Sequence, residues 1–271
     1  MHSWNIVLKN FSAGYGSHVV LSNINASFPA GKISVILGGS GCGKSTLLRH
    51  IIGLQRPLAG EVLIGGQNLF ALSRHAFRRL RRRMGVLFQD GALLGALNLA
   101  ENVALPLSQH LSLAKPLLKE AANRVLRMVG LEAFASFYPN ELSGGMRKRA
   151  GLARAIIADP LVLLCDEPTS GLDPVTAARM DDLLLSFHGQ YPEMTMLVVS
   201  HDLASLKKIA DYALVLRDGQ AVFAGTLQEL ENSGDEYIEQ FLTRNPGPEE
   251  LDFKQPQSPQ VSAALEKWLN S

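Results

Sequence analysis

A glycine-rich stretch near the start of the chain has the residue types and the spacing of a phosphate-binding loop. It follows a short β-branched run at 33–37 and leads into a helix-like segment from Lys44. Backbone N–H groups in such a loop turn inward and bind phosphate oxygens, and the following helix dipole favours negative charge there. The stretch consists of Gly38, Gly39, Ser40, Gly41, Cys42, Gly43, Lys44, Ser45 and Thr46.

The end of this loop predicts the kind of ligand. The stretch fits the pattern G-x-x-x-x-G-K-[ST], in which the lysine reaches the β- and γ-phosphates and the hydroxyl group ligates Mg²⁺. Lys44 and Ser45 hold these two positions. A glycine turn with a chance lysine is the plainer alternative. The order strand, glycine loop, helix favours a site for a nucleoside triphosphate.

An acidic pair supplies the second half of the predicted site. Asp166 and Glu167 directly follow a continuous apolar run at 161–165, as residues after a buried parallel strand do. Asp166 is expected to hold Mg²⁺ directly or through water. Glu167 is expected to lie beside the γ-phosphate and to take the proton of the attacking water. An acidic pair after a strand is a weak signal alone, but it is strong behind a phosphate loop.

Other segments indicate the elements that must position these residues. Short apolar runs at 84–88 and 194–199 read as strands, and the pattern from about 98 to 157 is helical. Two runs at 212–216 and 220–223, split by Asp218-Gly219, indicate a β-hairpin.

Composition excludes several classes of protein. The chain has 271 residues and a net charge of +1, which gives no global electrostatic reason to expect nucleic acid as a partner. Two cysteines are no disulfide framework and fit a reducing compartment. We expect no signal peptide and no membrane-spanning helix. An arginine cluster at 78–83 is interpreted as a solvated helix face rather than a nucleic-acid contact.

Further motifs make the chain resemble the ATPases of ABC transporters. Leu142-Ser-Gly-Gly-Met146 is similar to the LSGGQ signature of that family, which GTPases and kinases lack. The resemblance covers roughly residues 4–235 and implies binding and hydrolysis of ATP with Mg²⁺. The implied fold is α/β: a P-loop NTPase (RecA-like) core with an ABC β-subdomain and an inserted α-helical subdomain at about 90–160.

The resemblance assigns roles to residues that have no motif of their own. Tyr15 matches the aromatic residue that stacks on adenine, although it could be only a turn aromatic. Gln89 matches the Q-loop glutamine, a metal and catalytic residue, and Ser170-Gly-Leu-Asp173 matches the D-loop. His201 matches the switch histidine that senses the γ-phosphate. The implied catalytic set is Lys44, Gln89, Glu167 and His201, and the implied metal ligands are Ser45, Gln89 and Asp166.

The signature implies a second copy of the chain. Ser143, Gly144 and Gly145 precede a helical segment, which makes another N-terminus suited to an anion. In the family this motif binds the γ-phosphate held by the partner subunit, so that two ATP molecules lie between two subunits. Met146 departs from the usual glutamine. This departure leaves the serine hydroxyl and the glycine amides in place and bears on the subfamily.

Within the family, the chain resembles the ATPases of Mla-type phospholipid transporters. The resemblance is carried by Phe88-Gln-Asp-Gly-Ala-Leu-Leu94, by the methionine-ending signature and by the segment from Glu239 to Pro248. The implied partners are an integral membrane permease, an MCE lipid-binding protein and a small STAS-domain protein. The implied location is the cytoplasmic face of a bacterial inner membrane. The alternatives are an ATPase of another ABC importer or exporter, for amino acids or lipoproteins, and a soluble ABC ATPase.

The C-terminal extension at 236–271 is predicted to be an interaction arm. Prolines favour extended chain at 245–260, and Val261, Leu265, Trp268 and Leu269 share one face of a short helix. A disordered tail is the alternative. In the phosphate loop, Cys42 is expected to react as a thiolate because it precedes a helix N-terminus.

Overall fold

The computed structural model describes residues 4–243 and 258–270. Contacts divide the chain into two units, one ending at Asn232 and the other beginning at Ser233. None of the described helices is long and apolar enough to cross a bilayer.

Strands in the first unit build two sheets, and each apolar run identified in the sequence forms a strand. Most of the predicted runs differ from the strands by one residue at an end, as is usual for element boundaries, and the last strand extends three residues beyond the predicted 220–223. The strands are β1 (Ile6–Tyr15), β2 (His18–Phe28), β3 (Ile33–Gly38), β4 (Ala59–Ile64), β5 (Gln67–Asn68), β6 (Met84–Leu87), β7 (Val162–Asp166), β8 (Thr195–Val199), β9 (Tyr212–Arg217) and β10 (Gln220–Thr226).

Helices occupy the remaining periodic segments of the described chain. Those of the first unit are α1 (Lys44–Ile51), α2 (Arg74–Arg81), α3 (Leu99–Ser108), α4 (Lys115–Met128), α5 (Gly144–Ile156), α6 (Pro174–Gln190), α7 (Leu203–Ile209) and α8 (Leu227–Glu231). Those of the second unit are α9 (Glu236–Thr243) and α10 (Pro259–Leu269).

The larger sheet carries the motifs at one edge. Its strand order is β10-β9-β3-β8-β7-β6, and β9, β3, β8, β7 and β6 run parallel. Every residue of β3 and β8 is buried, which explains why their sequences are continuous apolar runs. The carboxyl ends of parallel strands meet at one edge of a sheet, where α/β proteins bind ligands. The α/β fold expected from the sequence is therefore confirmed, and β9 and β10 form the predicted antiparallel hairpin.

The smaller sheet packs beside the phosphate-loop helix. Its order is β2-β1-β4-β5, and all of its pairings are antiparallel. Phe11 and Phe28 from this sheet are buried in one apolar cluster with Leu47 of α1 and Ile36 of β3. Because these side chains share one core, the small sheet fixes the position of the phosphate loop.

Three motif residues begin helices, which places each motif at a helix N-terminus. The side chain of Ser143 accepts a hydrogen bond from the Met146 amide at the start of α5. Asp173 does the same for α6, and Asp202 for α7. Serine and aspartate are favoured at this position because their side chains satisfy amides that have no partner within the helix.

Helices α3, α4 and α5 lie between β6 and β7 in the chain, where the sequence predicts helical structure. Asn102 is fully buried in α3 and binds the preceding loop through the carbonyl groups of Leu94, Leu97 and Asn98 and the amide of Leu94. This loop follows Gln89, so a buried amide side chain holds the segment that the sequence identifies as the Q-loop.

In the second unit, the predicted C-terminal helix is confirmed as α10, but it begins earlier than the sequence predicts. Ser258 caps it and Pro259 occupies its first turn, where proline is favourable rather than disruptive. Val261, Leu265, Trp268 and Leu269 are all exposed. The extended stretch predicted at 245–260 falls mostly on 244–257, which lies outside the described residues.

Candidate nucleotide site

The phosphate loop connects β3 to α1 in a conformation that two of its glycines permit. Gly38 has a φ of 150°, and a β-carbon there would lie 2.4 Å from the Leu216 carbonyl oxygen and 2.5 Å from the Cys42 sulfur. Gly43 caps α1 with a φ of 102°, and a β-carbon there would lie 2.7 Å from Leu21. Any other residue at these two positions would be strained or would clash.

The outer side of the phosphate loop is open to solvent, and the charged group of Lys44 lies behind the loop backbone. Added β-carbons at Gly39 and Gly41 would meet nothing within 4 Å, and Ser40 is exposed. Lys44 is buried, and its Nζ donates to the carbonyl oxygens of Gly38 and Gly39 at 2.8 Å each. The loop therefore holds a cation behind open backbone, as a phosphate group requires.

Ser45 and Asp166 meet across the loop, although they are far apart in sequence. The Ser45 hydroxyl donates to Oδ1 of Asp166 at 3.3 Å. Burial raises the pKa of Asp166 above its usual range, and the hydrogen bond from Ser45 partly opposes that shift. A hydroxyl and a carboxylate oxygen are ligands that Mg²⁺ prefers, so the donor set fits the predicted ion.

Glu167 stands beside Asp166 in an unusual backbone conformation. Its φ is 47°, in the left-handed region that non-glycine residues seldom adopt. Its amide donates to the Val199 carbonyl at 3.0 Å, which ties it to the end of β8. Its Oε1 lies 3.3 Å from Nδ1 of His201, and its side chain is only 18% exposed. The structure thus brings the predicted base Glu167 next to His201, the residue predicted to sense the γ-phosphate.

Tyr15 lies next to the loop helix. Its hydroxyl is 3.4 Å from Oγ1 of Thr46 and accepts from Arg49 at 3.2 Å, and these hydrogen bonds lower the pKa of the phenol. Its ring is 44% exposed at the end of β1. This position leaves an exposed aromatic surface beside the loop.

The signature motif lies on a different face of the unit. Ser143, Gly144 and Gly145 line a cavity of about 680 Å³ together with the D-loop residues Gly171 to Asp173. Arg127, Arg149 and Arg179 also line this cavity, together with Asp182, and none of the phosphate-loop residues does. The structure therefore groups the signature with the D-loop and leaves it apart from the loop at 38–46.

Gln89 lies just beyond the end of β6, and its side chain is exposed. The strand β6 pairs with β7, with Leu87 opposite Cys165, so Gln89 follows the strand next to the one that carries Asp166.

Sequence reasoning missed one side chain at this site. Lys148 on α5 is 5% exposed, and its Nζ donates to the backbone carbonyl of Glu167 at 2.9 Å. It lies in an Arg-Lys-Arg run that has the pattern of a solvated helix face, so no signal in the sequence identifies it.

The expectation that Cys42 is a thiolate is wrong. Burial raises the pKa of its thiol, and the nearby Lys44 only partly opposes this shift. Cys165 is fully buried in β7, and burial raises its pKa to about 12.

Comparisons with known proteins agree with this geometry. A family model described as ABC transporter matches residues 21–170. The intermembrane phospholipid transport system ATP-binding protein MlaF of Haemophilus influenzae is 38% identical over 262 residues, which cover 96% of this chain and 98% of that protein. MlaF of Escherichia coli K12 is 41% identical over 235 residues, or 87% of each chain. The probable ribonucleotide transport ATP-binding protein mkl of Mycobacterium leprae is 39% identical over 244 residues, or 90% of this chain and 70% of that protein.

Solved structures are similar over most of the chain. A dimeric post-hydrolysis structure of the ATP-binding cassette MJ0796 bound to ADP and Pi has a TM-score of 0.75 and 32% identity, covering 82% of this chain and 98% of that one. A second dimeric structure of MJ0796, described as a bacterial ABC transporter cassette, has a TM-score of 0.76 and 33% identity over the same shares.

Proposed function

Because the chain belongs to the family of ABC transporter ATPases, we propose that it powers the movement of phospholipid between bacterial membranes through a partner permease. The chain itself is the ATP-binding and ATP-hydrolysing subunit of an ABC transporter. The observation that carries the phospholipid assignment is identity of 38% and 41% to two proteins named as intermembrane phospholipid transport subunits. The first of these matches spans 98% of the relative, including the region of the C-terminal extension.

The arrangement of the site supports distinct roles for its residues in hydrolysis. Lys44 and the loop amides of 38–46 hold the phosphates. The exposed ring of Tyr15 lies beside the adenine ring of the nucleotide. Ser45, Asp166 and Gln89 would hold Mg²⁺. When bound, this ion neutralises charge on the β- and γ-phosphate oxygens.

Glu167 and His201 act on the water. The Glu167 carboxylate takes a proton from the water that attacks the γ-phosphorus, the bond to the β-γ bridging oxygen breaks, and ADP and phosphate leave. His201 lies 3.3 Å from that carboxylate and orients it. The residues fit this chemistry because two segments supply these groups at one edge of the sheet: Lys44 and Ser45 follow β3, and Glu167 follows β7.

Two copies of the chain complete the site in this proposal. Ser143 and Gly144 are exposed and line a cavity to which the chain's own phosphate loop does not contribute. Two structural relatives with 32% and 33% identity are described as dimers. In the dimer, the signature of one copy binds the γ-phosphate held by the other.

The remaining partners follow from the same assignment. The permease contacts the chain near Gln89 and Leu94, an MCE protein carries the lipid, and a small STAS-domain protein binds the assembly. These partners place the chain at the cytoplasmic face of the inner membrane. The name of the mycobacterial relative suggests ribonucleotide as a second candidate cargo.

A reconstituted complex tests the cargo. The complex is purified from solubilised membranes through a tag on this chain, inserted into vesicles and supplied with Mg·ATP. We expect ATP-dependent transfer of a fluorescent phosphatidylethanolamine and no movement of a radiolabelled ribonucleotide. The same complex carrying Glu167→Gln is the control that separates ATP-driven transfer from spontaneous exchange. Ribonucleotide movement without lipid transfer would overturn the assignment.

A further inference from the structure

Lys148 is a buried cation whose hydrogen bonds all go to one short segment. It is 5% exposed and lies on α5, the helix that Ser143 caps. Its Nζ donates to the Glu167 carbonyl at 2.9 Å, to the Ser170 carbonyl at 2.6 Å and to the Ser170 hydroxyl at 2.9 Å. An ammonium group has three donors, so its hydrogen-bonding capacity matches this segment.

The segment that Lys148 binds needs support. Glu167 holds a positive φ, which an L-residue adopts only when surrounding contacts enforce it. Its amide is fixed by the Val199 carbonyl, and its own carbonyl accepts from Lys148 and from the Ser170 hydroxyl at 3.1 Å. Lys148 therefore fixes the peptide from which the Glu167 carboxylate projects.

The charge of Lys148 has no carboxylate in direct contact among its hydrogen-bond partners in the described chain. Burial lowers its pKa, and the more distant carboxylates of Asp90, Glu167 and Asp166 oppose this shift. A cation is costly to bury, whereas an apolar side chain in the same place is not. Asp90 and the two acidic residues of the site are the groups that gain from a positive charge here.

The position of Lys148 on α5 connects two parts of the site. Ser143 and Gly144, at the start of this helix, are exposed and line the cavity that the signature motif shares with the D-loop. Lys148 lies about one turn further along the same helix and binds the Glu167–Ser170 segment. A shift of α5 that accompanies contact at the signature would therefore move the backbone of the proposed base.

We propose that Lys148 is a positioning residue for ATP hydrolysis, which couples the signature helix to the Glu167 carboxylate and to the D-loop. This inference rests on the proposed role of Glu167 as the base. The hydrogen bonds of Lys148 go to Glu167 and Ser170 and not to the phosphate loop, so its loss should affect the rate of the chemical step and leave nucleotide binding intact.

Substitutions in the full-length chain test this proposal. Lys148→Met removes every donor and keeps an unbranched side chain, whereas Lys148→Gln keeps an amide donor. Because a misplacement of about 1 Å can cost on the order of a hundredfold in rate, we expect Lys148→Met to lower kcat at least about tenfold. We expect the Kd for ADP to stay within about twofold and Lys148→Gln to recover part of kcat.

One control variant and one physical measurement make the result decisive. Lys32→Met is the matched control, since Lys32 forms an exposed ion pair with Asp211 at the opposite end of β3 from the phosphate loop, and it should leave kcat unchanged. Hydrogen exchange in peptides spanning 167–173 should speed up in Lys148→Met and not in Lys32→Met.

The outcomes separate this proposal from the role of Glu167. Normal kcat in Lys148→Met, with Glu167→Gln inactive, would overturn the positioning role alone. Equal losses of kcat and of nucleotide affinity would overturn it too, by showing a general effect on the fold. If Lys148→Met does not fold, Lys148→Gln decides, because a kcat equal to wild type would contradict the role. Normal turnover by Glu167→Gln would refute the proposed base and this inference with it.

Discussion

Nδ1 of His201 lies 3.3 Å from Oε1 of Glu167, although the two residues follow different strands. Glu167 comes after β7 and His201 after β8, and these strands pair in parallel with Asp166 opposite Val199. The pairing therefore places the predicted base and the predicted switch histidine at one edge of the sheet. The proposed hydrolysis depends on this contact.

Replacing Glu167 by glutamine should separate binding from hydrolysis. The amide keeps the size of the side chain but cannot take a proton from water, so we expect hydrolysis to fall about 10²–10⁴-fold. ATP-bound dimers should accumulate, which size-exclusion chromatography with light scattering would detect. Glu193→Gln is the matched control, since Glu193 is exposed next to the start of β8, at the opposite end of that strand from the site. Near-normal turnover would refute the assignment.

Lys44→Ala tests the phosphate loop in the same assay, because it should lose nucleotide binding as well as hydrolysis. Lys44→Ala removes the cation that bonds to the carbonyl groups of Gly38 and Gly39, so nucleotide binding and hydrolysis should both be lost. Unchanged nucleotide affinity by calorimetry would show that the loop does not bind phosphate.

Asp166→Asn should stabilise the nucleotide-free protein while it abolishes hydrolysis. Burial raises the pKa of Asp166, so the folded protein binds a proton there more readily than the unfolded chain does. The charged carboxylate therefore weakens folding at neutral pH, and this effect fades as the pH falls through the folded-state pKa. We expect a higher Tm for the variant at about pH 8 and a smaller difference near about pH 4, where an ordinary aspartate titrates.

Calorimetry across this pH range measures the effect, and the Ser45 hydroxyl can still donate to the remaining carbonyl oxygen of asparagine. A Tm difference that grows as the pH falls would contradict the expected sign.

The two cysteines should react at different rates with maleimide. Cys42 is partly buried in the phosphate loop, and burial raises the pKa of its thiol, so its reaction should accelerate at a higher pH than that of an ordinary exposed cysteine. Cys165 is fully buried with a pKa of about 12 and should react far more slowly. ATP should protect Cys42, and its alkylation should block activity. Cys42→Ser is the control, and mass spectrometry that finds Cys165 modified first would contradict the arrangement.

Removing the C-terminal extension should weaken assembly and leave the ATP site intact. The side chains of Trp268 and Leu269 on α10 are 71% and 72% exposed, and a short helix with an exposed apolar face needs a surface to bury it. Truncation after Arg244 should lower the yield of the complex purified through a tag, and Trp268→Ala should reproduce part of the loss. Lys267→Ala, which replaces an exposed polar neighbour, should assemble normally. Full assembly and turnover by the truncated chain would show that the extension is only a tail.

Local sequence determined the phosphate loop, the acidic pair and the strands that carry them. The phosphate loop can be predicted locally because the glycines at 38–43 permit positive φ angles. The strand β7 can be predicted locally because a continuous apolar run such as 161–165 has to be buried on both faces of a sheet. The motifs then needed only their order along the chain to indicate the family.

Only the tertiary structure decided how these segments meet. The contact between Ser45 and Asp166, the pairing of Glu167 with His201 and the burial of Lys148 all join residues from different elements. Charged residues in a run such as Arg-Lys-Arg look alike in sequence, because burial depends on what packs over each side chain. The raised pKa of Cys42 has the same cause, since desolvation outweighs the nearby charge of Lys44 and is set by neighbours distant in the chain.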